Sequence, residues 1–148
     1  MQESEVFVFV EGTQHYFEQT TGSKANIGVP YLKDEKPVIL EYTGVIGISG
    51  VKLGCVYFTA EKELLMELAR EILGEEPEDE ATISDIVGEI TNTISGNARE
   101  AFGSVFMISV PVSIEGKARN IKLPPDVQSF VIPITWKDYR AFLVVGLE

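Results

Sequence analysis

The residues best suited to chemistry lie in one stretch, Ser84-Asp85-Ile86-Val87-Gly88-Glu89-Ile90-Thr91-Asn92-Thr93-Ile94-Ser95-Gly96-Asn97. Glu89 and Asn92 are three residues apart, which makes a carboxylate and an amide neighbours on a helix. At about 100° per residue, Asp85, Glu89, Asn92 and Gly96 fall within a span of about 60°. Ile83, Val87, Ile90, Ile94 and Ala101 form an apolar stripe roughly opposite. If that stripe packs on a sheet, the polar one faces solvent. An amide can orient a water by donating or accepting, and a carboxylate can pair with a cation on a partner. Exposed polar side chains are common, so a plain solvated face is the first reading. Two choices weigh against it. Gly96 costs about 1 kcal/mol relative to Ala in a helix interior, and Thr91 and Asn92 are poor helix formers. A docking face has a use for them, because glycine lets a partner come close.

Other chemistries find little support. The lone His15 has no nucleophile motif beside it, and one histidine makes no multi-histidine metal centre. The single cysteine, Cys55, excludes an internal disulfide and a Cys-rich zinc site. It sits between Gly54 and Val56 in a strand-like run and reads as packed rather than reactive. The glycines do not match a phosphate-cradling loop. Asp85 and Glu89 are an i, i+4 pair on an exposed face, which lacks the burial that tunes carboxyl pairs for acid–base work.

The elements that must position this face follow from periodicity. Ser4 to Thr21 is locally ambiguous: Val6-Phe7-Val8-Phe9-Val10 has strand propensity, but the wider spacing of Val6, Phe9, Thr13, Tyr16 and Phe17, with Ser4 as cap and Gly22 as stop, favours a helix. Three strand signals come next, over Asn26–Tyr31, Pro37–Ile48 and Lys52–Ala60, with Ser49-Gly50-Val51 as a hairpin turn. Gly44, Gly47 and Gly54 inside these strands predict a bulge or the close approach of another element. Glu61 to Leu73 is a helix whose apolar face is Leu64, Leu65, Leu68, Ile72 and Leu73. The run Gly74-Glu75-Glu76-Pro77-Glu78-Asp79-Glu80 is a solvated turn. A second long helix runs from about Glu80 to Phe102. Strands over Val105–Ile114, Ser129–Thr135 and Tyr139–Leu147 close the chain, joined at Pro124-Pro125 and Trp136-Lys137-Asp138. The order suggests two halves, each a helix followed by three strands, with the helix over Glu61–Leu73 inserted. That repeat is legible in element order, not in residue identity. Three-strand meanders favour an antiparallel sheet with helices on one face, an α+β fold. The apolar last strand, with Arg140 as its only basic residue, reads as an edge that would pair with a second copy.

Composition sets the outer bounds. At 148 residues and 16.3 kDa the chain is about one domain, and 45% hydrophobic residues supply a core. The formal charge of −11 argues against nucleic acid and anionic membrane as partners. No apolar run approaches the roughly 20 residues a membrane helix needs. Met1-Gln2-Glu3-Ser4-Glu5 is acidic where a secretory leader starts basic, so a soluble cytoplasmic protein is expected.

Glu89-x-x-Asn92-x-x-x-Gly96-Asn97, preceded by Asp85, resembles the signature of the CheC/CheX/FliY phosphatases of bacterial chemotaxis. Pro30-Tyr31, the hairpin Gly44-Val45-Ile46-Gly47-Ile48-Ser49-Gly50 and the helix end Leu73-Gly74-Glu75-Glu76 extend the resemblance to CheX over most of the chain. CheC-type members carry the signature in both halves. Here the first helix offers only Glu11-Gly12-Thr13-Gln14 with no Gly-Asn after it, and one intact motif is the CheX pattern. The resemblance implies a single domain over 1–148 with a CheC-like two-layer fold, the helix–three-strand unit repeated. It implies a substrate that is itself a protein, a phosphorylated CheY-like response regulator. Asn92 would then position the attacking water and Glu89 would dock to the regulator's active-site lysine. Asp85, Gly96 and Asn97 would be partner contacts of second rank. Mg²⁺ would come with the regulator, so no metal or cofactor of its own is expected, and CheX-like proteins form homodimers. The rival reading is a non-catalytic module that docks a response regulator through the same helix, since the fold also occurs in proteins tied to the flagellar switch.

Overall fold

The structure, a computed structural model, describes residues 1–77, 79–116, 121, 123 and 127–148. Glu78 in the acidic turn and the Pro124-Pro125 connection lie outside them. Among the described residues three helices, α1 (Glu3–Thr21), α2 (Lys62–Leu73) and α3 (Glu80–Phe102), pack on one face of an eight-stranded antiparallel sheet. The expected α+β class and two-layer arrangement hold.

Local chemistry sets the helix limits. α1 starts one residue before the expected cap: Gln2 is the N-cap, and its backbone N–H donates to the Glu5 carboxylate at 2.9 Å. Gly22, in the left-handed region at φ 74°, ends it. Val6, Phe9, Thr13, Tyr16 and Phe17 are all buried, as the helical spacing predicts. α3 begins where Asp79 accepts from the Thr82 N–H at 2.9 Å and ends before Gly103. α2 buries Leu64, Leu65, Leu68 and Ala69, but Ile72 and Leu73 stay exposed. Ala101 is also exposed on α3, and Ala98 takes its place in the core. The causes differ: the last turn of α2 is left uncovered, whereas the end of α3 stays packed, with Phe102 stacked on Phe106, and its inward face has turned from Ala101 to Ala98 and Phe102.

The strands depart further from expectation. Asn26–Tyr31 is two short strands, β1 (Asn26–Ile27) and β2 (Tyr31–Leu32), and Val105–Ile114 is likewise β5 (Phe106–Ile108) and β6 (Val112–Glu115). Each break contains a proline, Pro30 or Pro111, which cannot donate to a ladder. The two breaks read Ile27-Gly28-Val29-Pro30 and Ile108-Ser109-Val110-Pro111, so the repeat is present in residue identity after all. β3 (Tyr42–Gly50) starts five residues after Pro37, and β4 (Gly54–Ala60) two residues after Lys52. The Pro37 segment covers the sheet's second face instead. The Tyr57 hydroxyl donates to the Val38 carbonyl at 3.0 Å, and the Leu40 N–H donates to Thr59 Oγ1 at 2.8 Å. β7 (Ser129–Trp136) and β8 (Tyr139–Leu147) form a hairpin through Lys137-Asp138, at φ 49° and 67°, the left-handed pair of a two-residue turn.

The halves interlock rather than forming separate meanders. The broken strands of each half pair with the hairpin of the other: β1 and β2 with β7, β5 and β6 with β3. The last strands, β4 and β8, pair at the centre. β8 is therefore an inner strand, not the expected edge. Its run Phe142-Leu143-Val144-Val145 is apolar because both sheet faces are covered there. The outer strands are β1, β2, β5 and β6. Among the described residues no helix is long and apolar enough to cross a membrane.

Candidate functional site

Two glycines let α3 sit close to the sheet. A Cβ at Gly44 of β3 would lie 2.3 Å from Thr91 Oγ1 and 2.7 Å from the Val87 carbonyl. A Cβ at Gly88 of α3 would lie 2.9 Å from Ser113 Oγ of β6. Ser113 in turn donates to the Ser84 carbonyl at 2.7 Å, and Ser84 donates to the Glu115 carboxylate at 2.8 Å. The N-terminal half of α3 is thereby latched to β6. At its other end the Arg99 guanidinium donates to the Phe106 carbonyl at 2.9 Å. The helix is fixed on its sheet side along its length, and its polar stripe has no share in that work.

Asp85, Glu89 and Asn92 are exposed, as the helical arithmetic predicts. All three line one groove of about 580 Å³. Pro111 and Ser113 of the second half, Ile72 and Leu73 of α2, and Tyr16 of α1 line it as well. Gly96 has nothing within 4 Å of where its Cβ would stand, so its surface is open to a partner, although the groove stops short of it. Asn97 is set apart from this group. It is half-buried, and its amide donates to the Gly12 carbonyl at 3.2 Å, tying α3 to α1.

Tyr16 is a site residue that sequence reasoning assigned only to the core stripe. Its side chain is buried, and burial pushes its hydroxyl up to about 12, with the Glu89 carboxylate adding to the rise and a hydrogen bond to Thr20 opposing it. Ile72 and Leu73 were likewise assigned to the core. No signal in the local pattern separates a helix end that packs from one that overhangs. Burial pushes the Cys55 thiol up to about 11, which agrees with a packed, unreactive cysteine. Among the described residues no three His, Cys, Asp or Glu side chains are grouped to hold a metal ion.

The repeat places a second groove on α1. Glu3, Ser4, Val6, Phe7 and Val10 line it, beside the β1–β2 break. Asp85, Ile86, Gly88, Glu89 and Asn92 line the first, each 82 residues further along the chain. A Cβ at Gly12 would lie 3.4 Å from the carbonyl of Ile94, again 82 residues on, where α1 and α3 pack together. The counterparts of Glu89 and Asn92 are therefore Phe7 and Val10, not Glu11 and Gln14. The first half keeps the shape of a groove and has lost its polar pair.

Comparison with known proteins agrees with this arrangement. No curated protein matches the chain. Among solved structures, a CheX chemotaxis protein from Desulfovibrio desulfuricans is 27% identical, with a TM-score of 0.89 over 98% of this chain and 99% of that one. The CheX chain in a CheX–CheY–BeF₃–Mg²⁺ complex from Borrelia burgdorferi shares the fold at 19% identity, with a TM-score of 0.79 over 97% of each chain. The FliM middle domain from H. pylori shares it more distantly, at 8% identity and a TM-score of 0.66 over 99% of this chain and 92% of that one. A family model described as chemotaxis phosphatase CheX matches residues 42–135, which run from the start of β3 through α2 and α3 almost to the end of β7. That match takes in more than half of the chain and the whole of the helix bearing Glu89 and Asn92, and on it this protein belongs to the CheX family of chemotaxis phosphatases.

Proposed function

We propose that this chain accelerates hydrolysis of the phospho-aspartate on a CheY-like response regulator, using the exposed face of α3. The observation that carries this reading is the placement of Glu89 and Asn92. They stand one turn apart in an open groove, free of any packing duty, on a helix fixed from behind. The Borrelia relative, a CheX in complex with CheY, BeF₃ and Mg²⁺, supports the same choice of partner.

An acyl phosphate needs no enzyme nucleophile. Water attacks phosphorus in line, the bond from phosphorus to the aspartyl oxygen breaks, and the carboxylate leaves as the water's proton is lost. The Asn92 amide holds that water without being consumed. Glu89 pairs with the regulator's active-site lysine and sets the register of docking. Mg²⁺ would be held by the regulator's own residues and would supply charge neutralisation at the phosphoryl group. Asp85 stands at the rim and Gly96 leaves room for the partner's backbone. Asn97 acts behind the face, holding α1 against α3. Such a substrate places the activity in the cytoplasm. We further propose that the protein is a homodimer.

The test is dephosphorylation of a phosphorylated CheY-type regulator from the same organism, with Mg²⁺, by wild type and Asn92→Ala. Acceleration by wild type that is lost in the variant is the expected result. Binding without acceleration would instead make the chain a non-catalytic docking module.

A further inference from the structure

α2 is the element that breaks the repeat. It lies between the two helix–strand units, whereas α1 and α3 answer each other. Most of its apolar residues serve the core, yet Ile72 and Leu73 are 46% and 52% exposed. Helix α2 stops directly after them, at Gly74 in the left-handed region, φ 78°. Both side chains line the groove that holds Glu89 and Asn92. The groove on α1 has no such wall, being lined by α1, the β1–β2 break and Phe130. In the α3 groove the apolar pair stands beside a polar pair, whereas the α1 groove is apolar at the polar positions too, with Phe7 and Val10 there and Val29 and Phe130 around them.

Glu89 and Asn92 stand in open solvent in the free protein. An ion pair and an amide–water contact are weak there, and bulk water competes for the attacking position. Apolar surface at the rim changes both once a partner covers it, by supplying binding free energy and shutting water out. We propose that Ile72 and Leu73 are specificity-determining contacts, seating an apolar patch of the phosphorylated regulator beside its phosphoryl group. This rests on the regulator being the partner, as argued above. The pair touches the partner's surface and not the reacting atoms, so it governs which regulator docks and how tightly.

The experiment compares wild type, Ile72→Ser/Leu73→Ser and Leu73→Gln. Binding of a beryllofluoride-activated CheY-type regulator is measured alongside kcat and KM on the phosphorylated form. Circular dichroism and thermal melting establish that each variant is folded, and Leu73→Gln is the milder change should the double variant melt early. The expected result is a rise in Kd and KM of about tenfold for the double variant, less for the single one, with kcat within about twofold. Asn92→Ala gives the opposite pattern, a fall in kcat with Kd held. Unchanged Kd in the folded double variant would overturn the proposal. So would a change in the protein's own mass by light scattering with regulator affinity intact, since the pair would then serve self-association. Wild type that binds the regulator without hydrolysing it removes the phosphatase reading alone and leaves the affinity comparison as the test. Wild type that binds no regulator overturns both.

Discussion

Asn92 contributes nothing to the core, so replacing it isolates chemistry from folding. Asn92→Ala should lower kcat on the order of a hundredfold, the scale of a misplaced reactant, with KM within a few fold. Glu89→Ala should raise KM and lower kcat together, because the proposed mechanism gives it docking register as well as local charge. Steady-state kinetics on a phosphorylated regulator checks both, and normal turnover by Asn92→Ala would remove the mechanism. The buried titratable groups make a separate prediction in the alkaline range. Burial raises the Cys55 thiol from 9.0 to about 11 and the Tyr16 hydroxyl from 10.0 to about 12. Each is held neutral in the fold, so its contribution is complete below the unfolded value and is lost as pH rises through the folded one. Thermal midpoints should be flat in pH up to about 9 and decline from there toward 12. Cys55→Ala should remove the earliest part of that decline.

At the scale of the element, α3 depends on the strand beneath it. Gly44→Ala would drive a methyl against Thr91 and the Val87 carbonyl, both on the helix that carries the site. Backbone cannot yield as a flexible side chain does, so the helix must shift. A loss of about 1–3 kcal/mol in urea unfolding is expected, with lower phosphatase activity in the folded fraction. The limits of α3 were legible in the sequence because caps are local: Asp79 and Gly103 act within a turn of themselves. Gly44 was legible as a strand glycine that some other element approaches closely. That the element would be α3 depends on a contact forty-odd residues away.

At the scale of the whole molecule, the repeat interlocks its two halves and leaves four short outer strands. Val29 on one side, and Met107, Val110 and Val112 on the other, are exposed there. A homodimer would be built on these outer strands, not on β8. Light scattering at micromolar concentration should return twice the chain mass of 16.3 kDa, and the monomer mass would refute it. The same symmetry predicts that one groove alone is active. Phe7 and Val10 stand where Glu89 and Asn92 stand in the other half, so the first groove lacks the carboxylate and amide on which the proposed mechanism depends.

The sequence by itself determined what depends on neighbours along the chain. Periods of 3.6 and 2 established the helices and most strand cores, capping residues set the ends of α3, and the spacing of Glu89 and Asn92 put both on one face. Only the tertiary structure decided what depends on distant partners. A strand's pairing is set by which apolar surfaces bury each other, so β8 went to the centre although its own residues fit an edge equally well. Whether Ile72 and Leu73 pack or overhang depends on where the opposing layer ends, and whether Ala101 or Ala98 faces inward depends on how α3 is turned on the sheet. The equivalence of Phe7 with Glu89 appeared once the helix crossing at Gly12 fixed the register between the halves, because identity along two diverged helices no longer carries it.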